Sequence, residues 1–361
     1  QGSIYENQTA LGSRYFTQEP VAVQRQQACP LTPNGGPMFK ITTRSAVLAA
    51  MFALAVPAQA QTVLTFGGSD AIGSILDRQN VQFTACANDK AGGKLKVNFI
   101  QGEQLGSDVQ VIEQMMQGSV HIYGDVLDWY ANWVKDYAIL AWGFTFRDAG
   151  HMQKFLDSPT YTETAEKLRK EQGLRILAAA PTQPRILFSK KPVGSLKDLN
   201  GIKMRVPEIK TYLMLWETLG TRPSRLAWGE IYLGLKTGVV EAAEGPISSA
   251  YSAKFHEAAT HVIRTDHLMS SAHITVNDKA FSALPADLQK MLSACAVEAV
   301  QNTRKTAQLE TEDVVRKMAA EGAKVTAIDK APIQQRAKEG VSKMEKDGAW
   351  TPGLWDQIQK L

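Results

Sequence analysis

Four of the six histidines lie between residues 256 and 273, at His256, His261, His267 and His273. Their spacings of five and six fit neither HExxH nor two ligands on one helical face, and no cysteine or acidic run completes a metal set. They read as surface and turn histidines, and no metal is expected. FGGSDA (66–71) approaches a nucleophile elbow, but Ala71 stands where that turn needs glycine. The same stretch lacks the third glycine of a dinucleotide loop, and GLKTG (234–238) lacks the upstream glycine of a phosphate loop. No catalytic set and no cofactor site emerge.

Two arginines are more informative. Arg205 sits in KMRVP (203–207), at the end of a predicted strand just before a proline turn, and Arg185 begins another strand in QPRILFS. A guanidinium at a strand end can offer a bidentate fork to a carboxylate, a stronger contact than lysine gives. Ligands of open α/β sheets bind outside the carboxyl ends of strands. An exposed salt bridge is the alternative for either arginine, and position alone does not exclude it.

The elements that must hold these side chains follow from periodicity. TVLTFGG (62–68) reads as a strand, and the spacing of Ile72, Leu76, Val81 and Phe83 reads as a helix running to Asp89. KLKVNFI (94–100) alternates as a half-buried strand, Asp108 to Gln117 is an amphipathic helix stopped by Gly118, and SVHIYG (119–124) is a strand. Helices follow over 152–169 and 212–219, with strands over 174–180, 185–189 and 202–206. This alternation predicts an α/β fold with largely parallel sheets. Residues 285–320 form one long helix opened by Pro285 and closed near Gly322. Without a linker, two domains would require several chain crossings, as in a hinged clamp.

MFKITTRSAVLAAMFALAVPAQAQ (38–61) has the layout of an export signal. Lys40 and Arg44 precede an apolar run from Val47 to Val56, and Ala58-Gln59-Ala60 supplies the small residues of a cleavage site. The run is too short to span a bilayer. A signal peptide over 38–60 and a mature start near Gln61 are expected, with 1–37 an upstream extension of doubtful origin. Of the 40 Lys and Arg and 36 Asp and Glu, four and two lie in residues 1–60, leaving 36 against 34. That balance gives no reason to propose a nucleic-acid partner. Cys86 and Cys295 could pair in an oxidising compartment, but cysteine is also a common buried apolar residue, and the reading favours two free thiols.

The run from GIKMRVP to RTDHL (201–268) resembles the solute receptors of TRAP transporters, the DctP-like family. The pieces come in order: KMRVP, LGTRPS (219–224), WGEIYLGLKTGVVE (228–241), Phe255–Glu257 and TDH (265–267). GGKLKVNFIQGEQLGSD (92–108) resembles the first-domain strand and turn, and ALPADLQKML (283–292) the long-helix entry. No single motif carries the resemblance, which covers roughly 62–345.

The resemblance implies a two-domain, periplasmic-binding-protein-like α/β clamp with a long helix spanning both domains. It implies domain I over 62–182 plus 271–310 and domain II over 183–270 plus 311–361. It implies a monomeric, non-enzymatic receptor that captures a small organic acid and delivers it to TRAP permease membrane subunits. Arg205 matches the arginine that clamps the ligand carboxylate, with Arg185 as a second, supporting arginine. Trp228 matches an aromatic that stacks on the ligand, Glu208 a polar contact and Glu244 an acidic residue before the pocket. Ser69 and Asp125 fall at first-domain strand ends facing the cleft. Gly245 stands where many members have asparagine, which removes a donor and opens room. Of Trp129, Tyr130, Trp133, Trp142, Phe144 and Phe146, most should be core; one or two at the cleft would favour a flatter or more apolar acid than a polyol. The rivals are a secreted α/β hydrolase or lyase acting on a carboxylated substrate, and a sensor domain.

Overall fold

The computed structural model describes residues 61–361; the readings over 1–37 and 38–60 lie outside the described residues. Strand β1 (Thr62–Gly67) leads through Ser74 into the helix Ile75–Lys90, whose N-terminal turn is capped by the Ser74 hydroxyl accepting from the Asp77 N–H at 3.1 Å. Ile72 lies before this helix and is exposed, as is Val81, so two of the four residues behind the helical spacing do not face the core. Strand β2 (Leu95–Ile100) pairs with β1 in parallel. The helix Asp108–Gln117 ends where expected, because Gly118 takes a left-handed φ of 83° that a residue with a Cβ would resist. The strand after it is only β3 (Ile122–Tyr123).

The single helix expected over 152–169 is two, Ala149–Leu156 and Pro159–Gln172. Ser158 caps the second and Pro159 occupies its first turn, so this pair starts a new helix. Conversely, the two strands expected over 174–189 are one, β4 (Leu174–Ser189). Pro181 and Pro184 break the sequence alternation, and the sheet absorbs them as a register shift between those residues. β4 pairs antiparallel with β8 (His261–Asn277). Between them in sequence lie β5 (Lys203–Val206), β6 (Arg222–Arg225) and β7 (Ala242–Pro246), and β9 (Lys324–Ala327) joins β8 in parallel.

The sheet runs β2-β1-β3-β8-β4-β7-β5-β6. It is mixed, not largely parallel: β3–β8, β8–β4 and β4–β7 are antiparallel. The two long strands carry the chain from one half of the sheet to the other, which short βαβ units cannot do. Among the described residues, no helix is long and apolar enough to cross a membrane.

The 35-residue helix Ala286–Ala320 spans both halves. Leu288, Leu292, Ala296 and Val300 pack with Phe66, Phe83 and Val97 in one core. Val314, Val315 and Met318 pack with Ile186, Phe188 and Val262 in another. Cys295 on this helix is bonded to Cys86 on Ile75–Lys90, at a Cα separation of 5.7 Å. The free-thiol reading is therefore corrected: packing of the two helices brings together cysteines 209 positions apart, which spacing alone does not reveal. Replacing both by serine is expected to cost about 2–4 kcal/mol, since the bond restricts the unfolded chain. A urea midpoint unchanged from the oxidised parent would refute that role.

Candidate functional site

The carboxyl ends of β1, β3 and β5 open on one cleft between the halves of the sheet, with about 420 Å³ of empty space. Arg185, Arg205, Trp228, Ser69 and Asp125 all line it. Glu244 sits behind the wall as the partner of Arg185, and Gly245 packs beneath Trp228. Glu208 does not line the cleft. Pro207 and Ile209 do; Glu208 sits at the centre of a tight turn closed by the Ile209 N–H donating to the Pro207 carbonyl at 2.7 Å, and its buried Oε2 has no partner among the described residues. Its backbone carbonyl instead accepts from Asn132 Nδ2 at 3.1 Å.

The two arginines are in different electrostatic states. Arg185 lies on β4 beside β7, and its Nε and Nη2 donate to the Glu244 carboxylate at 2.5 and 2.7 Å. Burial opposes both charges, but their mutual attraction outweighs it, holding Arg185 above its ordinary value and Glu244 down at about 2. Arg205, on β5, is completely buried. Its Nε and Nη2 donate to the Leu226 carbonyl at 3.0 and 2.8 Å, while Nη1 has no partner among the described residues. Burial, partly offset by Glu244 and reinforced by Arg185, pulls Arg205 down to about 10. Arg205 is thus a buried guanidinium at the cleft with neither a bonded carboxylate nor a use for one of its nitrogens. Such a group is costly without a partner.

Trp228 opens a short 3₁₀ turn, Trp228–Glu230, and packs on Phe255 with ring centroids 4.9 Å apart. The Arg205 guanidinium lies 5.8 Å from its ring centroid. A Cβ on Gly245 would sit 3.2 Å from Trp228 Cη2, so the room that glycine leaves is taken by the indole. Gly245→Ala is expected to push the ring toward the cleft and weaken ligand binding by about 1–2 kcal/mol, the scale of overpacking. Titration followed by tryptophan fluorescence checks this; unchanged affinity and emission would show that the ring does not define the cleft.

Sequence reasoning missed a group of acids. Asp70 follows β1, Asp108 starts the helix Asp108–Gln117, and Asp128 lies in the 3₁₀ turn Leu127–Asn132. All three join Asp125 in lining the cleft. Each looks ordinary in sequence: Asp108 beside Ser107 reads as a helix start, and Asp70 and Asp128 read as loop acids. Asp70 accepts from Ser74 Oγ at 2.9 Å and from Ser249 Oγ at 2.6 Å. Burial still raises it to about 6, partly offset by those hydroxyls. Burial raises Asp108, against the pull of Tyr123, and raises Asp128, against the pull of Arg185 and Tyr212. Asp125 is raised furthest, by burial and then by Asp108 and Asp70.

Of the aromatic segment, Trp129 alone lines the cleft, with Nε1 donating to Asp125 at 3.1 Å, while Tyr130, Trp142 and Phe146 are core. The histidine reading is corrected. His256, His267 and His273 are buried, and His267 Nε2 lies 3.2 Å from the Glu244 carboxylate. A spacing of six is even, so His267 and His273 fall on one face of the long strand β8, a periodicity that helix and metal patterns do not test. Among the described residues no side-chain cluster suited to a metal ion is present.

A two-lobed α/β clamp, with a long helix across both lobes and a charged cleft where parallel strands end, defines a class of binding protein. Residues 70–347 match the DctP family model, bacterial extracellular solute-binding protein family 7, and the chain belongs to that family. It is 26% identical over 278 residues to a solute-binding protein of Roseobacter denitrificans, covering 75% of this chain and 85% of that one. It is 26% identical over 297 residues to the 2,3-diketo-L-gulonate-binding periplasmic protein of Escherichia coli, covering 81% and 89%. The crystal structure of a TRAP periplasmic solute-binding protein from Ochrobacterium anthropi, with bound L-fuconate, superposes with a TM-score of 0.77 at 27% identity, covering 83% of this chain and 99% of that one.

Proposed function

We propose that this protein is a periplasmic receptor, not an enzyme, that closes on a small organic acid and delivers it to the membrane subunits of a TRAP permease. The observation that carries the reading is Arg205: a buried guanidinium at the cleft with an unpartnered Nη1 suits a ligand carboxylate. The relatives support an acid, since 2,3-diketo-L-gulonate and L-fuconate are both carboxylates. The export signal read over 38–60 accords with the family's extracellular placement. In this reading the receptor acts as a monomer.

We take the lobes as 62–182 plus 271–310 and 183–270 plus 311–361. With those boundaries, four side-chain hydrogen bonds join the lobes around the cleft: Ser249 to Asp70 at 2.6 Å, Tyr212 to Asp128 at 2.6 Å, Gly229 N to Glu103 at 3.1 Å and Asn132 to the Glu208 carbonyl at 3.1 Å. They support a closed clamp. Ligand that contacts both lobes favours this state by its higher affinity for it, and the permease reads that conformation. The test is a thermal-shift screen over keto, hydroxy, amino, aromatic and sugar acids, because a ligand of the folded state raises its melting temperature. Stabilisation by an acid, lost in Arg205→Ala, is expected. Stabilisation only by compounds without a carboxylate would overturn the reading.

A further inference from the structure

We infer that the ligand is a zwitterion, carrying a cationic nitrogen as well as the carboxylate that Arg205 receives. The inference rests on the receptor reading above and extends it to the other end of the ligand. Two separate features of one cleft carry it. The first is Arg205, whose free Nη1 suits an anion. The second is the charge that surrounds it. Arg185 and Glu244 neutralise each other through two hydrogen bonds, so neither is available to the rest of the cleft. That leaves Asp70, Asp108, Asp125 and Asp128 facing one guanidinium.

The hydrogen-bond inventory shows which acids are available. Asp70 is engaged through both oxygens, by the Ala71 N–H and by the hydroxyls of Ser74 and Ser249. Asp108 accepts at Oδ1 from Tyr123, Asp125 at Oδ1 from Val126 N–H and Trp129, and Asp128 at Oδ2 from Tyr212. The second oxygens of Asp125 and Asp128 have no side-chain or loop donor among the described residues, whereas the Ser69 hydroxyl also acts on Asp108. Two half-used carboxyls, Asp125 and Asp128, thus border a cleft that also offers the indoles of Trp129 and Trp228. An ammonium group is the partner that such oxygens and aromatic faces both accept. Hydroxyls of a sugar acid could fill the lone pairs, but they would leave a ligand carboxylate added to four aspartates in a low-dielectric site. A positive charge on the ligand offsets that repulsion while the carboxyls stay ionised.

A proton linkage follows. The titratable groups acting on Asp125 from the elements around it are Asp70, Asp108, Tyr123 and Tyr130. Burial pushes both tyrosines up, so they stay neutral and the carboxyls exchange the protons, Asp70 at about 6. A cationic ligand draws them into the ionised form, so binding releases protons and strengthens as pH rises from 5 to 7. An anionic polyol ligand would do the reverse.

The experiment pairs α- and ω-amino acids of three to six carbons, some N-methylated, with hydroxy acids bearing oxygen in place of nitrogen, and includes L-fuconate and D-glucuronate. Thermal shift on the full protein selects binders, and calorimetry in two buffers of different ionisation enthalpy counts protons. We expect an amino acid to bind at least tenfold more tightly than its hydroxy counterpart, with protons released. Asp125→Asn should weaken that binding at least tenfold, and Asp128→Asn offers the same test should the first variant fold poorly. Stabilisation by a hydroxy or sugar acid but by no amino acid would overturn the zwitterion and leave the carboxylate reading standing. Stabilisation by neither series would overturn both.

Discussion

Arg205→Ala is expected to reduce affinity for the acid ligand by roughly 3–5 kcal/mol, about two to three and a half decades, while leaving the ligand-free fold at least as stable. The two halves of this result have one cause. In the structure the guanidinium is fully buried, bonds only to the Leu226 carbonyl among the described residues, and is depressed to about 10 by burial. Removing a charge that lacks an ionic partner relieves desolvation, against the loss of two hydrogen bonds to a carbonyl. In the complex the same change leaves the ligand carboxylate buried without its fork. Calorimetry measures the first half and urea denaturation of ligand-free protein the second. Unchanged affinity would remove Arg205 from the site, and a loss of several kcal/mol in stability would make it a structural residue. Arg205→Lys should recover little, because an ammonium gives one contact where the fork gives two.

Glu244→Gln should act in the opposite sense, destabilising the fold by roughly 3–5 kcal/mol, because it strands the buried Arg185. Replacing both, Arg185→Met with Glu244→Gln, should recover a large part of the loss. The pair also sets an acid limit. The Glu244 carboxyl titrates near 4.5 unfolded and at about 2 folded, a depressed value. Its contribution, on the order of 3 kcal/mol, is complete above pH 4.5 and lost as pH falls toward 2. Asp70 has the opposite sign, since burial raises it from 3.8 to about 6. Its contribution is complete below pH 3.8 and is lost as pH rises to 6. The two groups act in opposite directions, Glu244 favouring pH above 4.5 and Asp70 pH below 3.8, alongside the raised Asp108, Asp125 and Asp128 and the depressed His273. Urea midpoints measured from pH 2 to 7 test this. Asp70→Asn should make stability fall less between pH 4 and 6 than it does in the parent and spare the loss below pH 4; a profile unaltered by that variant would reject the assignment.

Local sequence determined what local physics can settle. Ser107 and Gly118 bracket the helix Asp108–Gln117 because the Ser107 N–H donating to the Gln110 side chain and a left-handed glycine act within one turn. Pro285 and the unbroken run of helix formers behind it gave the 35-residue helix Ala286–Ala320. The arginine before the Val206–Pro207 turn stood at a strand end, and strand ends are where α/β sheets bind. Family resemblance then pointed to Ser69, Asp125, Arg185 and Trp228, all of which line the cleft.

Tertiary structure decided what depends on distant partners. Arg185, inside β4, and Arg205, near the end of β5, carry the same side chain; the pairing of β4 with β7 puts Glu244 against the first, while Nη1 of the second has no partner among the described residues. Asp70, Asp108 and Asp128 come from three separate segments, and no spacing joins them. The bond between Cys86 and Cys295, and the passage of β4 and β8 through both halves of the sheet, likewise rest on packing between elements far apart in the chain. A sequence fixes which groups can ionise, but the dielectric and the neighbours that set their charge exist only after folding. The cleft's excess of buried carboxyls, the feature that bears most on the ligand, is therefore a property of the tertiary structure alone.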